Sequence, residues 1–166
     1  MGHHHEDRDD LVGEHPFGDA GQIILLILFL ALWILDSFIF QFSTFLAGYV
    51  PLTIRLVLAG IILVVGFYLG KRSLQMIFSE KRDSPQVIKK ELYSYIRHPM
   101  YLAMMLFYVA LIITTFSLLS LALGILIFFF YNFIAAHEEK LLEKKLGQDY
   151  FEYKNKVPRW LPRLRP

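Results

Sequence analysis

The chain has 166 residues, 55% of them hydrophobic, a formal net charge of +2 and no cysteine. So small a charge does not point to nucleic acid, and a chain without thiols has no disulfides, thiolate nucleophiles or thiolate metal ligands. Mean hydropathy is +0.45, but the apolar residues are blocked: residues 23–35, 56–70 and 99–136 carry no charge. A helix needs ~20 mostly apolar residues to cross ~30 Å of hydrocarbon, so the last block holds two spans with a turn between them. The chain reads as an integral membrane protein.

Residues 1–21, MGHHHEDRDDLVGEHPFGDAG, are polar and net acidic, without the short apolar core and cleavage site of a signal peptide. His3, His4, His5 and His15 with Glu6, Asp7, Asp9 and Asp10 have the chemistry for a divalent metal. A tag remnant or disordered acidic segment is the plainer reading, and no metal site is expected. The first span is placed at 22–45 and the second at 52–78. Asp36 lies toward the far end of the first span and Arg55 at the start of the second, so an ion pair between them is expected to staple that hairpin. Gly66 and Gly70, four apart, let a neighbouring helix come close.

Pro99 suits the first turn of a third span, 99–116, where its missing N–H costs nothing, with His98 near the cap. The short TTFS turn leads into a fourth, 118–136. The tail, 137–166, opens with HEEKLLEKKLGQDYFEYKNKV, which predicts a helix continuing out of span four, a break near Gly147 and a second helix along the interface. VPRWLPRLRP then reads as an extended arm anchored by Trp160 as an interfacial aromatic. Seven basic residues fall between Lys71 and Arg97 and eight between Lys140 and Arg165. The other two loops have almost none, so both termini and the middle segment are expected in the cytoplasm.

The unusual residues collect at that cytoplasmic edge. Tyr93, Arg97, His98 and Tyr101 lie before or at the start of span three; His137, Glu138 and Glu139 lie at the end of span four. A span-three/span-four hairpin makes the two groups neighbours, a pocket of cations, carboxylates and aromatics between water and lipid. Each residue alone has a plain reading: Arg, His and Tyr anchor membrane helices, and adjacent carboxylates commonly form a solvated face. Their co-location is what favours function.

RHPMY at 97–101, EEKLL at 138–142, LGQDYFEY at 146–153 and the Val157–Pro158 arm resemble the isoprenylcysteine carboxyl methyltransferase and phospholipid methyltransferase superfamily of integral membrane methyltransferases. The family pattern is Arg-His-Pro-x-Tyr, a hairpin, Glu-Glu-x-x-Leu, Phe-Gly-x-x-Tyr-x-x-Tyr and a Val-Pro arm. The match covers about 85–162, with Leu146 in place of Phe. The resemblance implies an S-adenosylmethionine pocket facing the cytoplasm, contacted by Pro85, Gln86, Val87, Ile88, Tyr93, His98, Tyr101, Glu138 and Glu139, with Arg97 suited to the cofactor carboxylate. A sulfonium and an ammonium favour carboxylates, and an adenine favours aromatic faces. Direct methyl displacement needs alignment and exclusion of water, not a covalent nucleophile.

Prenylcysteine methyltransferases carry an Arg one turn before the Glu pair, for the substrate carboxylate; alignment puts Ile134 there, with Asn132 and His137 the nearby polar residues. An amine, hydroxyl or isoprenoid-type lipid therefore competes with a carboxylate as acceptor. His137 or Glu139 is then the nearest base.

The fold class that follows is an all-α membrane protein with four transmembrane helices, a C-terminal helical hairpin and a cytoplasmic cofactor-binding tail, one methyltransferase-like domain over 22–166. The expected partners are the bilayer and a lipophilic substrate. Two other readings share the scaffold: a non-catalytic lipid-binding or assembly module, and a relative of membrane reductases that uses a nicotinamide cofactor.

Overall fold

The computed structural model describes residues 18–78 and 87–162, all helical or irregular with no strand among them. Five α-helices follow in order: α1 (Gly18–Ile34), α2 (Leu52–Phe78), α3 (Pro99–Thr115), α4 (Leu118–Leu146) and α5 (Gln148–Lys156). The N-terminal His/Asp tract and the basic residues Lys81, Arg82, Arg163 and Arg165 lie outside the described residues. Among the described residues, three helices are long and apolar enough to cross a membrane: Ala20–Phe40, Leu52–Ile77 and Leu118–Leu146. The expected third span is shorter. α3 has 17 residues, about 25 Å at ~1.5 Å per residue.

α3 packs between α2 and α4, and α1 also packs on α4. The core is where α1, α3 and α4 converge: Phe29, Tyr108, Ile127 and Tyr131 are buried, with Phe29 edge-on to Tyr108 at 4.7 Å. Most other large apolar side chains point outward, as suits helices whose surroundings are hydrocarbon. Gly66 sits in the α2–α3 contact, where a Cβ would stand 3.3 Å from the carbonyl oxygen of Ala103. The close approach expected of Gly66 and Gly70 is therefore made, against α3.

At the end of the bundle remote from His98, the expected Asp36–Arg55 pair is not formed. Asp36 lies in the six-residue π-helical turn Leu35–Phe40 that continues α1. It is 2% exposed and accepts from Ser43 N at 3.0 Å, Ser43 Oγ at 2.5 Å and Ser117 Oγ at 2.5 Å. Ser117, the N-cap of α4, accepts from Ser120 N, and Ser43 Oγ accepts from Leu119 N. The carboxylate thus sits behind two hydroxyls that satisfy the open N–H groups of α4, where the helix dipole favours a negative charge. Arg55 instead donates to Val50 O at 3.1 Å and to Thr114 O at 2.6 Å, covering the open carbonyl end of α3. Each charge finds a helix terminus of the opposite sign.

Beyond Ala136, α4 runs on for three turns as predicted and stops at Gly147, whose φ of 57° and ψ of −132° belong to glycine alone. α5 folds back there. Tyr150, Tyr153 and Val157 pack with Leu142, Leu146 and Val87, and Tyr153 donates its hydroxyl to Tyr93 O at 2.6 Å. The Trp160 ring lies 5.8 Å from His98 and 6.3 Å from Phe128.

Candidate functional site

Three pieces of chain meet at one end of the α3–α4 hairpin. The first is the segment 96–98, which leads into α3 with His98 as N-cap and Pro99 in the first turn, as the sequence predicts. The second is the end of α4 carrying Glu138 and Glu139. The third is the arm after α5, laid against the first by two backbone bonds, Arg97 N to Pro158 O at 3.0 Å and His98 N to Arg159 O at 3.4 Å.

Glu139 is the centre of the site. Its side chain is 1% exposed, and Arg159 grips it with a fork: Nε to Oε1 at 2.8 Å and Nη2 to Oε2 at 2.7 Å. The third guanidinium nitrogen, Nη1, donates to Asn132 Oδ1 at 2.7 Å. His98 Nε2 lies 3.1 Å from Glu139 Oε1, Arg97 Nη1 is 3.3 Å from Oε2 and Lys154 Nζ 3.9 Å from Oε2. A carboxylate this deep is tolerable only when matched by opposite charge and hydrogen bonds, and the fork is the strongest form of that match. Glu139 in turn holds the Arg159 guanidinium above its ordinary pKa, chiefly through the hydrogen bond.

Glu138, one residue earlier, faces a different group. Tyr101 donates a short hydrogen bond to its Oε1, and His98 Nδ1 stands 3.8 Å from its Oε2. The His98 ring is stacked parallel on Tyr101, with centroids 5.5 Å apart and planes 3° apart. Tyr101 continues to Tyr131 at 5.3 Å, so an aromatic column runs from the polar edge into the core. Burial is the main cause holding the His98 pKa below its ordinary value, with Arg97 and Arg159 acting in the same direction against the pull of Glu139.

Of the other residues singled out in the sequence, Val87 has its side chain in the α5 cluster. Ile88 is half-buried on the same stretch, and His137 is half-buried on α4. Tyr93 is held through its carbonyl by Tyr153. Pro85 and Gln86 lie outside the described residues. Arg97 is the unusual one. Its side chain is 10% exposed, yet Nε and Nη1 are buried and make no hydrogen bond among the described residues. The 3.3 Å approach to Glu139 is close enough for charge but misaligned for a bond.

Sequence reasoning missed Arg159 and Trp160 as parts of the site, placing them only in a basic arm with an aromatic anchor. The available signal was the absence of a cation at Ile134, which is buried at 2% exposure. The structure brings a guanidinium to Asn132, close by on α4, from the arm instead.

A profile of the family described as phospholipid methyltransferase matches residues 50–149, well over half of the chain. This chain is a member of the phospholipid methyltransferase family. The matched stretch runs from the loop before α2 to the start of α5, and so contains Arg97, His98, Tyr101, Glu138 and Glu139. It stops before Arg159 and Trp160, and α1 with Asp36 precedes it. No curated protein matches the chain. Membership makes the activity methyl transfer at a membrane, and the three long apolar helices agree with it.

Proposed function

We propose that this phospholipid methyltransferase family member transfers a methyl group from S-adenosylmethionine to a lipophilic acceptor, at the end of the bundle formed by His98, Tyr101, Glu138 and the arm. When bound, the cofactor supplies a methyl group on a sulfonium sulfur that keeps the carbon–sulfur electron pair as the methyl leaves. The observation that carries the reading is that family-matched residues 37 and 41 positions apart, Tyr101 with Glu138 and His98 with Glu139, touch in one cluster.

The residues fit the cofactor's charges. The orphaned, buried Nε and Nη1 of Arg97 suit a carboxylate. Glu138 and the ring of Tyr101 suit an ammonium or sulfonium, by charge and by cation–π attraction. Tyr93, Val87, Ile88, Pro85 and Gln86 are assigned to the cofactor by the family resemblance alone. Glu139 is assigned a positioning role, because Arg159 and His98 already occupy its oxygens.

α3 is read as the third of four spans, although it is shorter than the other three. It is joined to α4 by only Phe116 and Ser117, so it runs back beside it and its ends reach similar depths. Four crossings place both termini, the basic middle segment and the site on the cytoplasmic side.

The experiment is transfer of radiolabelled methyl from S-adenosylmethionine into a total lipid extract, with products separated by head group. Wild type is expected to label one lipid class and Glu138→Ala to lose most of that label. A wild-type protein that labels nothing removes the reading.

A further inference from the structure

A methyl acceptor that arrives as an amine or an alcohol must lose a proton, and the cluster contains several groups that could take it. Glu139 is poorly placed for the task. Its two oxygens already accept from Arg159 Nε and Nη2, and His98 Nε2 lies 3.1 Å from Oε1. That occupancy decides the tautomer of His98. An ionised carboxylate only accepts, so the ring nitrogen facing it, Nε2, carries the hydrogen. In the neutral ring the other nitrogen then holds a lone pair. That nitrogen, Nδ1, is directed toward Glu138 Oε2 at 3.8 Å, beyond hydrogen-bond reach. The ring cannot turn over cheaply, because it is stacked on Tyr101, flanked by Trp160 and 9% exposed.

We propose that His98 is the catalytic base for the methyl acceptor, and that Glu139 and Arg159 are the positioning pair that keeps its Nδ1 edge ready. The inference rests on the methyltransferase reading and applies to acceptors presenting an N–H or O–H group, not to a carboxylate that has no proton to give. The acceptor's proton moves onto the Nδ1 lone pair, and the electron pair of the broken N–H or O–H bond stays on the acceptor for the new bond to carbon. The ring becomes an imidazolium held between Glu138 and Glu139. It then returns the proton to water past Glu138, whose side chain is 16% exposed, and the neutral ring is restored. The charged and titratable groups facing the ring are Tyr101 from α3, Glu138 and Glu139 from α4, Arg159 from the arm and the adjacent Arg97. Lys154 of α5 reaches Glu139 from behind. Burial holds the ring below its ordinary pKa of 6.5, which favours the neutral form that a base needs.

Two measurements test this. The first is nitrogen NMR of protein in lipid nanodiscs with ¹⁵N-labelled histidine, the His98 signals assigned by difference from His98→Gln. Wild type is expected to show a neutral ring with hydrogen on Nε2 at pH 7, and Glu139→Gln to weaken that preference. A wild-type ring with hydrogen on Nδ1, or an imidazolium at pH 7, overturns the proposal whether or not any variant folds. The second is the pH dependence of methyl transfer into the labelled lipid class. His98→Gln keeps a donor toward Glu139 and is expected to lower kcat on the order of a hundredfold, the usual scale of a general base, and to lose the acid limb. An acid limb that survives His98→Gln and disappears in His137→Gln makes His137 the base and overturns the proposal. A wild type that binds no S-adenosylmethionine overturns both readings, whereas a wild type that binds and methylates but shows the wrong tautomer overturns this one alone.

Discussion

Glu139 can be held in the interior as an anion because two guanidinium groups and a histidine converge on it, and only one of those partners, Arg159, forms the bidentate fork. Removing one member of a buried pair leaves the other uncompensated, at about 3 kcal/mol or more. Arg159→Ala is therefore expected to lower the thermal midpoint by several degrees, with the wild-type protein and Arg159→Lys as comparisons. Lysine keeps the charge but not the fork and should recover less than half of the loss. Equal midpoints for the arginine and alanine proteins would show that the fork stabilises nothing. His98 adds a pH dependence of its own. Its folded-state pKa lies below the ordinary 6.5, so on acidification the unfolded chain takes up the proton first. The stability it contributes is present above about pH 6.5 and is lost as pH falls through the folded-state value. Thermal midpoints measured from pH 8 down to pH 5 should fall in wild type, and part of that fall should vanish in His98→Gln. The residues of this cluster were legible in RHPMY and HEEKLL because charged and aromatic side chains stand out at the edge of an apolar block. Arg159 was not legible, because a lone arginine between two prolines in a basic tail looks like any other, and only the returning arm shows what it grips.

Elements were easier to read than their ends. The apolar blocks, Pro99 at a helix start and the break at Gly147 all appear where hydropathy, proline and glycine place them. Sequence alone did not reveal the partner of each polar residue. Asp36 and Arg55 have opposite charges and adjacent positions, yet the unpaired N–H groups of α4 and the unpaired carbonyls of α3 hold them apart, because a helix terminus in an apolar setting must be satisfied locally. Likewise the contact of Trp160 with His98 was not legible, because nothing in the sequence shows where α5 turns the arm. Gly147 makes that turn, in a backbone region closed to other residues. Gly147→Val is expected to cost about 1–3 kcal/mol and, since a Cβ there meets nothing within 4 Å, to act through the backbone alone. Limited proteolysis should cut within the α5 segment in the variant and spare it in wild type; identical digestion would place the turn elsewhere.

For the whole molecule, the account requires the site and the short turn Phe45–Tyr49 to lie on opposite sides of the bilayer. The natural absence of cysteine allows single-cysteine labelling without background. In intact cells a membrane-impermeant thiol reagent should modify Gly48→Cys and leave Lys145→Cys untouched, and inverted vesicles should reverse the pattern. Labelling of both from one side would contradict four crossings. The family match and the edge cluster lead together to one central claim, that S-adenosylmethionine binds beside Arg97, His98, Tyr101 and Glu138. Calorimetric titration of S-adenosylmethionine into the purified protein in nanodiscs tests it most directly. The account predicts saturable binding by wild type, weakened at least about tenfold, or ~1.4 kcal/mol, in Glu138→Ala; no binding by wild type, or equal binding by both, would contradict it.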